Sequence, residues 1–191
     1  MEIRTIEIAG FASAFTALRL PFGLPPRSNI VGHIQQHRLS HDIVSHSSVV
    51  VVEEKDMERM RNLVISGDEH SKVVRGILAY TEITAPVYWW CELETYRAGH
   101  ERLSSSSTMH IDCKGLQGEE LQRVKAEIPM GKELTKVDFF SYQCLRNIVK
   151  QRYNHRLPEW HMFIDWIKTL PFAKELIFNG LDYDDCGYET H

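Results

Sequence analysis

Val137-Asp138-Phe139-Phe140-Ser141-Tyr142-Gln143-Cys144-Leu145-Arg146-Asn147-Ile148-Val149-Lys150-Gln151-Arg152-Tyr153 carries the strongest periodic signal in the chain. Val137, Phe140, Cys144, Leu145, Ile148 and Val149 recur at helical spacing, which lays one apolar stripe along a helix. The periodicity predicts a helix over Val137–Tyr153. A second helix is expected from Leu157-Pro158-Glu159, because proline suits a first turn and a carboxylate suits the positive end of the helix. Trp160, Phe163, Ile164 and Ile167 form its apolar face, and Pro171 ends it.

Working back from this pair, Glu119–Ile128 reads as a helix closed by a turn at Pro129 and Gly131. Tyr88–Gly99 reads as another, with Trp89, Leu93 and Tyr96 on one side. Ser104-Ser105-Ser106-Ser107-Thr108 is too polar for a core and reads as a loop. Gly76–Thr84 is expected as a strand stopped before Pro86. Asp56–Ser66 is a helix that buries Met57, Met60, Leu63 and Val64 and stops at Gly67. Arg4–Ile8 alternates like a half-buried strand, and the β-branched run Val49–Val52 reads as a deeper one. Between these two lies Pro21–Asn29, a turn-rich linker with three prolines. The tail from Asn179 is acidic, and Asp182, Asp184 and Asp185 suit a solvated end better than a cation site. Strands interleaved with helices define an α/β (α+β) fold class.

With 191 residues, 43% apolar and 25% charged, the chain suits one domain, residues 1–191, with an adequate core. No run approaches the roughly 20 apolar residues of a membrane span, and Met1–Gly10 lacks a signal-peptide pattern. A cytoplasmic protein is expected. Cys91, Cys113, Cys144 and Cys186 are scattered and read as reduced thiols. A net charge of −4 argues against a grip on nucleic acid, so an anionic partner would be held by a few arginines.

Two arginines sit oddly. Arg152 falls in the sector of Leu145, Ile148 and Val149, and Arg97 borders the stripe of Trp89, Leu93 and Tyr96. Each is expected to pair with an acid, Glu92, Glu94 or Glu159, or to hold a phosphate or pyrimidine carbonyl against an aromatic wall. The hydroxyls of Ser105, Ser106, Ser107 and Thr108 would suit an anion, or else form a solvated loop. The connector Asn154-His155-Arg156-Leu157-Pro158-Glu159-Trp160 mixes imidazole, guanidinium, carboxylate and indole, and reads as a binding turn or as interhelical capping. His33, His37 and His41, with His46 beyond, recur at four-residue spacing but lack a His-Glu-x-x-His arrangement, so no metal site is assigned. Neither a Gly-x-Ser-x-Gly elbow nor a phosphate-binding glycine loop occurs, which leaves covalent hydrolase and nucleoside triphosphatase readings poorly supported.

Taken in order, these pieces resemble the flavin-dependent thymidylate synthase family over about Asp56–Lys168. Leu63-Val64-Ile65-Ser66-Gly67-Asp68-Glu69-His70 looks like that family's helix end and histidine-bearing turn. Trp89 to His110 occupies the place where an Arg-His-Arg helix leads to a Ser-x-Arg-Tyr loop. Leu145-Arg146-Asn147, through Arg152 to Trp160, looks like the late Leu-Arg-Asn helix and the Arg and His-x-Gln-Trp elements after it. Thr95 and Tyr96 replace the first two residues of the triplet, and the loop arginine is missing, so either the substrate differs or another residue, such as Arg102, compensates.

The resemblance implies an antiparallel sheet packed by helices, of the thymidylate synthase-complementing-protein type, in a homotetramer whose active sites are shared between subunits. It implies FAD, with folate and NADPH as co-substrates, and methyl or one-carbon transfer to dUMP or a related pyrimidine deoxynucleotide. By position, Arg97, Ser105, Ser106, Ser107, Thr108, Arg152 and Arg156 would bind substrate. His70, Arg97, His100, Arg146 and His155 would bind the cofactor, and no enzyme cysteine is needed. The missing arginines keep open a binding protein of the same fold without flavin chemistry, or an oligomeric interaction protein.

Overall fold

The structure, a computed structural model, describes residues 1–24 and 52–181. Strand β1 (Glu2–Ala9) leads into helix α1 (Phe11–Arg19), and helix α2 (Glu54–Ile65) precedes strand β2 (Leu78–Pro86). Helix α3 (Val87–Leu93), strand β3 (His100–Ser105), and helices α4 (Thr108–Ile111) and α5 (Gly118–Glu127) follow. Strand β4 (Glu133–Ser141) runs directly into helix α6 (Tyr142–Arg152), and helix α7 (Pro158–Lys168) comes next. The sheet order is β1-β2-β4-β3, with every neighbouring pair antiparallel. This is the mixed architecture expected, a four-stranded antiparallel sheet with helices.

The main difference lies in the run quoted first. Residues 137–141 end strand β4, and the helix begins only at Tyr142. Val137 and Phe140 fit a helical stripe, but the pairing of β4 with both β2 and β3 gives this segment two full ladders of hydrogen bonds, which a helix cannot match once the sheet exists. Ser141 marks the switch, its side-chain oxygen accepting a hydrogen bond from the Cys144 backbone N–H at 3.1 Å as an N-cap should.

Three boundaries also move. The helix expected over Tyr88–Gly99 stops at Leu93, where Thr95 Oγ1 donates to the Glu92 carbonyl at 2.8 Å and Tyr96 N–H turns back to Leu93. Ser104 and Ser105 close strand β3 instead of lying in a loop. Strand β2 runs through Pro86, tolerated because a strand's last residue needs no further ladder donor. Of the strand expected at Val49–Val52 only Val52 is described, outside any strand, and the His33–His46 segment, most of the Pro21–Asn29 linker and the acidic tail beyond Leu181 lie outside the described residues.

The inner face of the sheet carries Ala79, Ile83 and Phe140, and an aromatic block of Trp89, Trp90, Trp160 and Phe163 is wholly or almost wholly buried with them. Trp89 meets Trp160 at 5.1 Å and Phe163 at 5.4 Å between ring centroids, so α3 and α7 are joined through indoles. Rings of this size bury about 150–250 Å² each, making the block the largest apolar contribution at this end. At the other end Gly10 (φ 92) lies so close to the Gly76 carbonyl that a Cβ would stand 1.8 Å from its oxygen, so only glycine lets β1 turn into α1 here.

Candidate functional site

Three of the residues singled out above meet around one carboxylate. Glu92 projects from α3, and its Oε2 accepts from Arg152 Nη1 at 3.0 Å and Trp160 Nε1 at 2.8 Å. His155 Nε2 lies 3.5 Å from the same oxygen. Arg152 is at the end of α6, Trp160 is in the first turn of α7, and His155 is in the connector between them. Arg152 Nε also donates to Tyr96 Oη at 2.8 Å, and the Tyr96 hydroxyl donates to Gln151 Oε1 at 3.1 Å. The guanidinium lies over the Trp160 ring at 4.8 Å and the Tyr96 ring at 5.6 Å. Arg152 therefore has the aromatic wall the sequence suggested, with its charge balanced by an acid of the same chain.

A second feature opens beside the start of α6. A cavity of about 340 Å³ is lined by Asp68, Arg75, Ala98, Gly99, Ser141, Gln143 and Asn147. Its polar wall is ordered: Ser71 Oγ, fully buried, donates to Gln143 Oε1 at 3.0 Å, and Gln143 Nε2 donates to Asp68 Oδ1 at 3.1 Å and Asn147 Oδ1 at 3.3 Å. Lys150 Nζ stands 3.3 Å from the same Asp68 oxygen, and Arg75 Nη2 donates to the Asp68 carbonyl at 3.3 Å. Gly99 (φ 80) forms the floor; a Cβ there would sit 2.3 Å from Ser141 Oγ. Asp68 and Asn147 fall inside motifs quoted for the resemblance, whereas Arg75 and Gln143 carry no signal in the sequence.

The other expected site residues are spread more widely. Arg97 is exposed, and its Nε donates to the Glu94 carbonyl at 3.4 Å, so it and Arg152 are held by different partners. Arg156 is exposed on the α6–α7 connector. Ser105 Oγ donates to the Ser106 carbonyl, Ser106 Oγ accepts from Thr135 N–H at 3.0 Å, Ser107 precedes α4, and Thr108 Oγ1 bonds Lys125. These hydroxyls anchor the strand end to β4 and α5. His70 is exposed and lines a different cavity of about 390 Å³, between α1 and α2, with Phe22, Arg59 and Leu63.

Two expected cofactor ligands lie in the interior. Arg146 is 4% exposed and donates through Nη1 to the carbonyls of Ile177 (2.7 Å) and Asn179 (2.8 Å), tying the C-terminal turn to α6. His100 is stacked on Phe140 at 4.5 Å, with Nε2 2.8 Å from Asp138 Oδ2 and Nδ1 3.2 Å from the Tyr96 carbonyl. Asp138, fully buried, also receives Arg102 Nε at 3.3 Å. Arg102 in turn pairs with Glu94, and Lys136 lies 4.3 Å over the Trp90 ring. Burial, and then the Arg102 charge, hold the Lys136 ammonium below its usual pKa. As for nucleophiles, burial pushes the Cys144 thiol up to about 12, which keeps it protonated and inert at neutral pH.

No protein-family model and no curated protein sequence matches the chain. Solved structures do. Thymidylate synthase X (ThyX) of Helicobacter pylori with FAD and dUMP is similar at a TM-score of 0.68 and 13% identity, covering 96% of this chain and 100% of that one. A second structure of the flavin-dependent thymidylate synthase ThyX from Helicobacter pylori, complexed with FAD and dUMP, gives a TM-score of 0.65 at 14% identity, covering 93% of this chain and 98% of that one. The chain thus carries the fold of the flavin-dependent thymidylate synthases, reached by a distant sequence. Among the described residues no helix is long and apolar enough to cross a membrane.

Proposed function

We propose that this chain is a divergent flavin-dependent thymidylate synthase-like protein whose cleft at the start of α6 receives part of a flavin nucleotide, with a pyrimidine deoxynucleotide as the second ligand. One observation carries the reading. The three segments on which the resemblance stands are far apart in sequence, yet Asp68 from the first, Ala98 with Gly99 from the second and Asn147 from the third line a single cavity. The lining suits a flavin. The Asn147 amide and the Arg75 guanidinium match the carbonyl and imide edge of the ring, and Gln143, held by Ser71, Asp68 and Asn147, fixes the wall behind them.

Arg75 and Lys150, with Arg97 adjacent in sequence to Ala98, would balance the diphosphate. A bound flavin would supply the hydride for one-carbon transfer, with folate as carbon donor and NADPH as reductant. A cavity of about 340 Å³ is at the small end for a ligand site and takes only part of a dinucleotide. The remainder would lie on other copies, so the reading includes a homotetramer in the cytoplasm. Titration with FAD and FMN tests it: micromolar quenching of flavin fluorescence, weakened by Asn147→Leu, is expected. A protein that purifies colourless and leaves flavin fluorescence unchanged would overturn it.

A second reading, a nucleotide-binding protein without flavin chemistry, is favoured by Glu92. That carboxylate neutralises Arg152 from within the chain, and Thr95 and Tyr96 stand where the family's first Arg and His would be. It predicts that deoxyuridine or dUMP raises the melting temperature while FAD does not, because only a ligand that prefers the folded state stabilises it.

A further inference from the structure

We propose that Arg152, His155 and Trp160 build an oxyanion site on the α6–α7 connector, and that the chain fills it with its own Glu92 carboxylate. Two donors converge on one oxygen, Glu92 Oε2, the guanidinium at 3.0 Å and the indole N–H at 2.8 Å, and the imidazole Nε2 stands beside them at 3.5 Å. Each of the three has contacts besides Glu92. Arg152 is oriented by Tyr96 Oη and by the two rings it covers. Trp160 is fully buried against Trp89 and Phe163. His155 Nδ1 accepts from the Leu157 backbone N–H at 3.2 Å, which leaves the ring proton of a neutral imidazole on Nε2, the nitrogen 3.5 Å from the carboxylate.

Donors fixed by separate contacts around one point are a pre-formed receptor for an anionic oxygen, and charge-assisted bonds of this kind are the strong ones. Glu92 comes from another element, α3, and its side chain is 33% exposed, so the front of the site faces solvent. The ligand class is therefore a carboxylate or phosphate oxygen. In the unmodified chain that position is taken, and an incoming phosphate meets a like charge. Arg152 on this face therefore serves an uncharged base or nucleoside and not a phosphate group. This last step rests on the nucleotide reading above, whereas the oxyanion site itself does not.

Inorganic phosphate is the probe, measured by melting temperature and calorimetry on the unmodified chain, on Glu92→Gln, and on Glu92→Gln combined with Arg152→Met. The expected result is an unmodified chain indifferent to phosphate, and a Glu92→Gln chain that melts lower but regains the difference in phosphate, binding it at least about tenfold more tightly. The double variant loses that gain. No gain in Glu92→Gln, or a gain that survives Arg152→Met, overturns the proposal. Should Glu92→Gln not fold, Glu92→Asp withdraws the charge by one methylene; a smaller phosphate gain supports the site and none overturns it.

Deoxyuridine and dUMP separate the two claims. Equal affinities in the unmodified chain support exclusion of phosphate, and dUMP bound at least about tenfold more tightly overturns it. Failure of every nucleoside, nucleotide and flavin to bind removes the proposed function, while the phosphate response of Glu92→Gln still decides the site.

Discussion

Asp138 and Glu92 are both carboxylates gripped by a guanidinium and an imidazole, yet they teach opposite lessons. Asp138 lies on the inner face of β4, wholly removed from water, with His100 and Arg102 reaching it from the neighbouring strand β3. Glu92 is one-third exposed, and its partners come from the end of α6, the α6–α7 connector and the first turn of α7. Charge buried inside a sheet has no route to a ligand and must be balanced where it stands, which makes the first cluster structural. Charge at a half-open surface keeps contact with water, so the donors around the second lie within reach of a ligand once its carboxylate is removed.

The contrast breaks hardest at Asp138. Asp138→Ala leaves the buried His100 Nε2 without its acceptor and strips Arg102 of one of its two acids, Glu94 remaining, and removing one partner of a buried pair costs about 3–5 kcal/mol. Urea denaturation should show a lower midpoint with an unchanged slope. A loss below about 1 kcal/mol would mean that water reaches the cluster, and that its distinction from Glu92 is one of degree.

Gly99→Ala comes next, because it strikes the cleft wall. The backbone there has φ 80, and the added methyl would stand 2.3 Å from Ser141 Oγ, the N-cap of α6. Strain in a left-handed position and a displaced cap together cost about 1–3 kcal/mol. Flavin binding should fall by a larger factor than stability implies, since the displaced Ser141 side chain also lines the cavity; parallel melting and fluorescence titrations separate the two. Unchanged flavin affinity in a folded Gly99→Ala chain would move the ligand away from this cleft.

These two positions show what the sequence made legible. The helical character of α6 and α7 and the oddity of Arg152 were visible, because they depend on spacing within a few residues. Even the partner of Arg152 was among three candidate acids. The strand identity of residues 137–141 was hidden, because Val137 and Phe140, three apart, extend the helical stripe of α6, and only pairing with β2 and β3, remote in sequence, places them on opposite faces of a sheet. The role of Asp138 was hidden for the same reason. Arg146 looked like a ligand-facing group, but the carbonyls it satisfies belong to a turn more than 30 residues further on. The cleft could not be assembled from the sequence, since a cavity exists only once Asp68, Gly99 and Asn147 have been brought together.

Glu92→Gln sharpens the comparison from the exposed side. The carboxylate accepts from Trp160 and Arg152 but remains in contact with water, so its replacement by an isosteric amide costs about 1 kcal/mol, well below the Asp138 effect. Raising salt should shrink the difference between unmodified and Glu92→Gln chains, because screening weakens a half-exposed pair far more than a buried one. A salt-independent difference would place Glu92 with Asp138 among the structural charges.

The smallest effect belongs to Arg97. Its side chain is exposed and its hydrogen bond is a 3.4 Å contact to the Glu94 carbonyl within the same turn. Arg97→Ala should therefore shift stability by no more than about 0.5 kcal/mol. That near-silence makes it the cleanest probe of ligand binding, for a loss of flavin affinity cannot then be ascribed to misfolding. If Arg97 serves the diphosphate beside Ala98, the variant binds FAD more weakly while its affinity for riboflavin, which lacks phosphate, is unchanged. Equal losses for both would place Arg97 against the ring, and equal retention would leave Arg75 and Lys150 as the cations of the cleft.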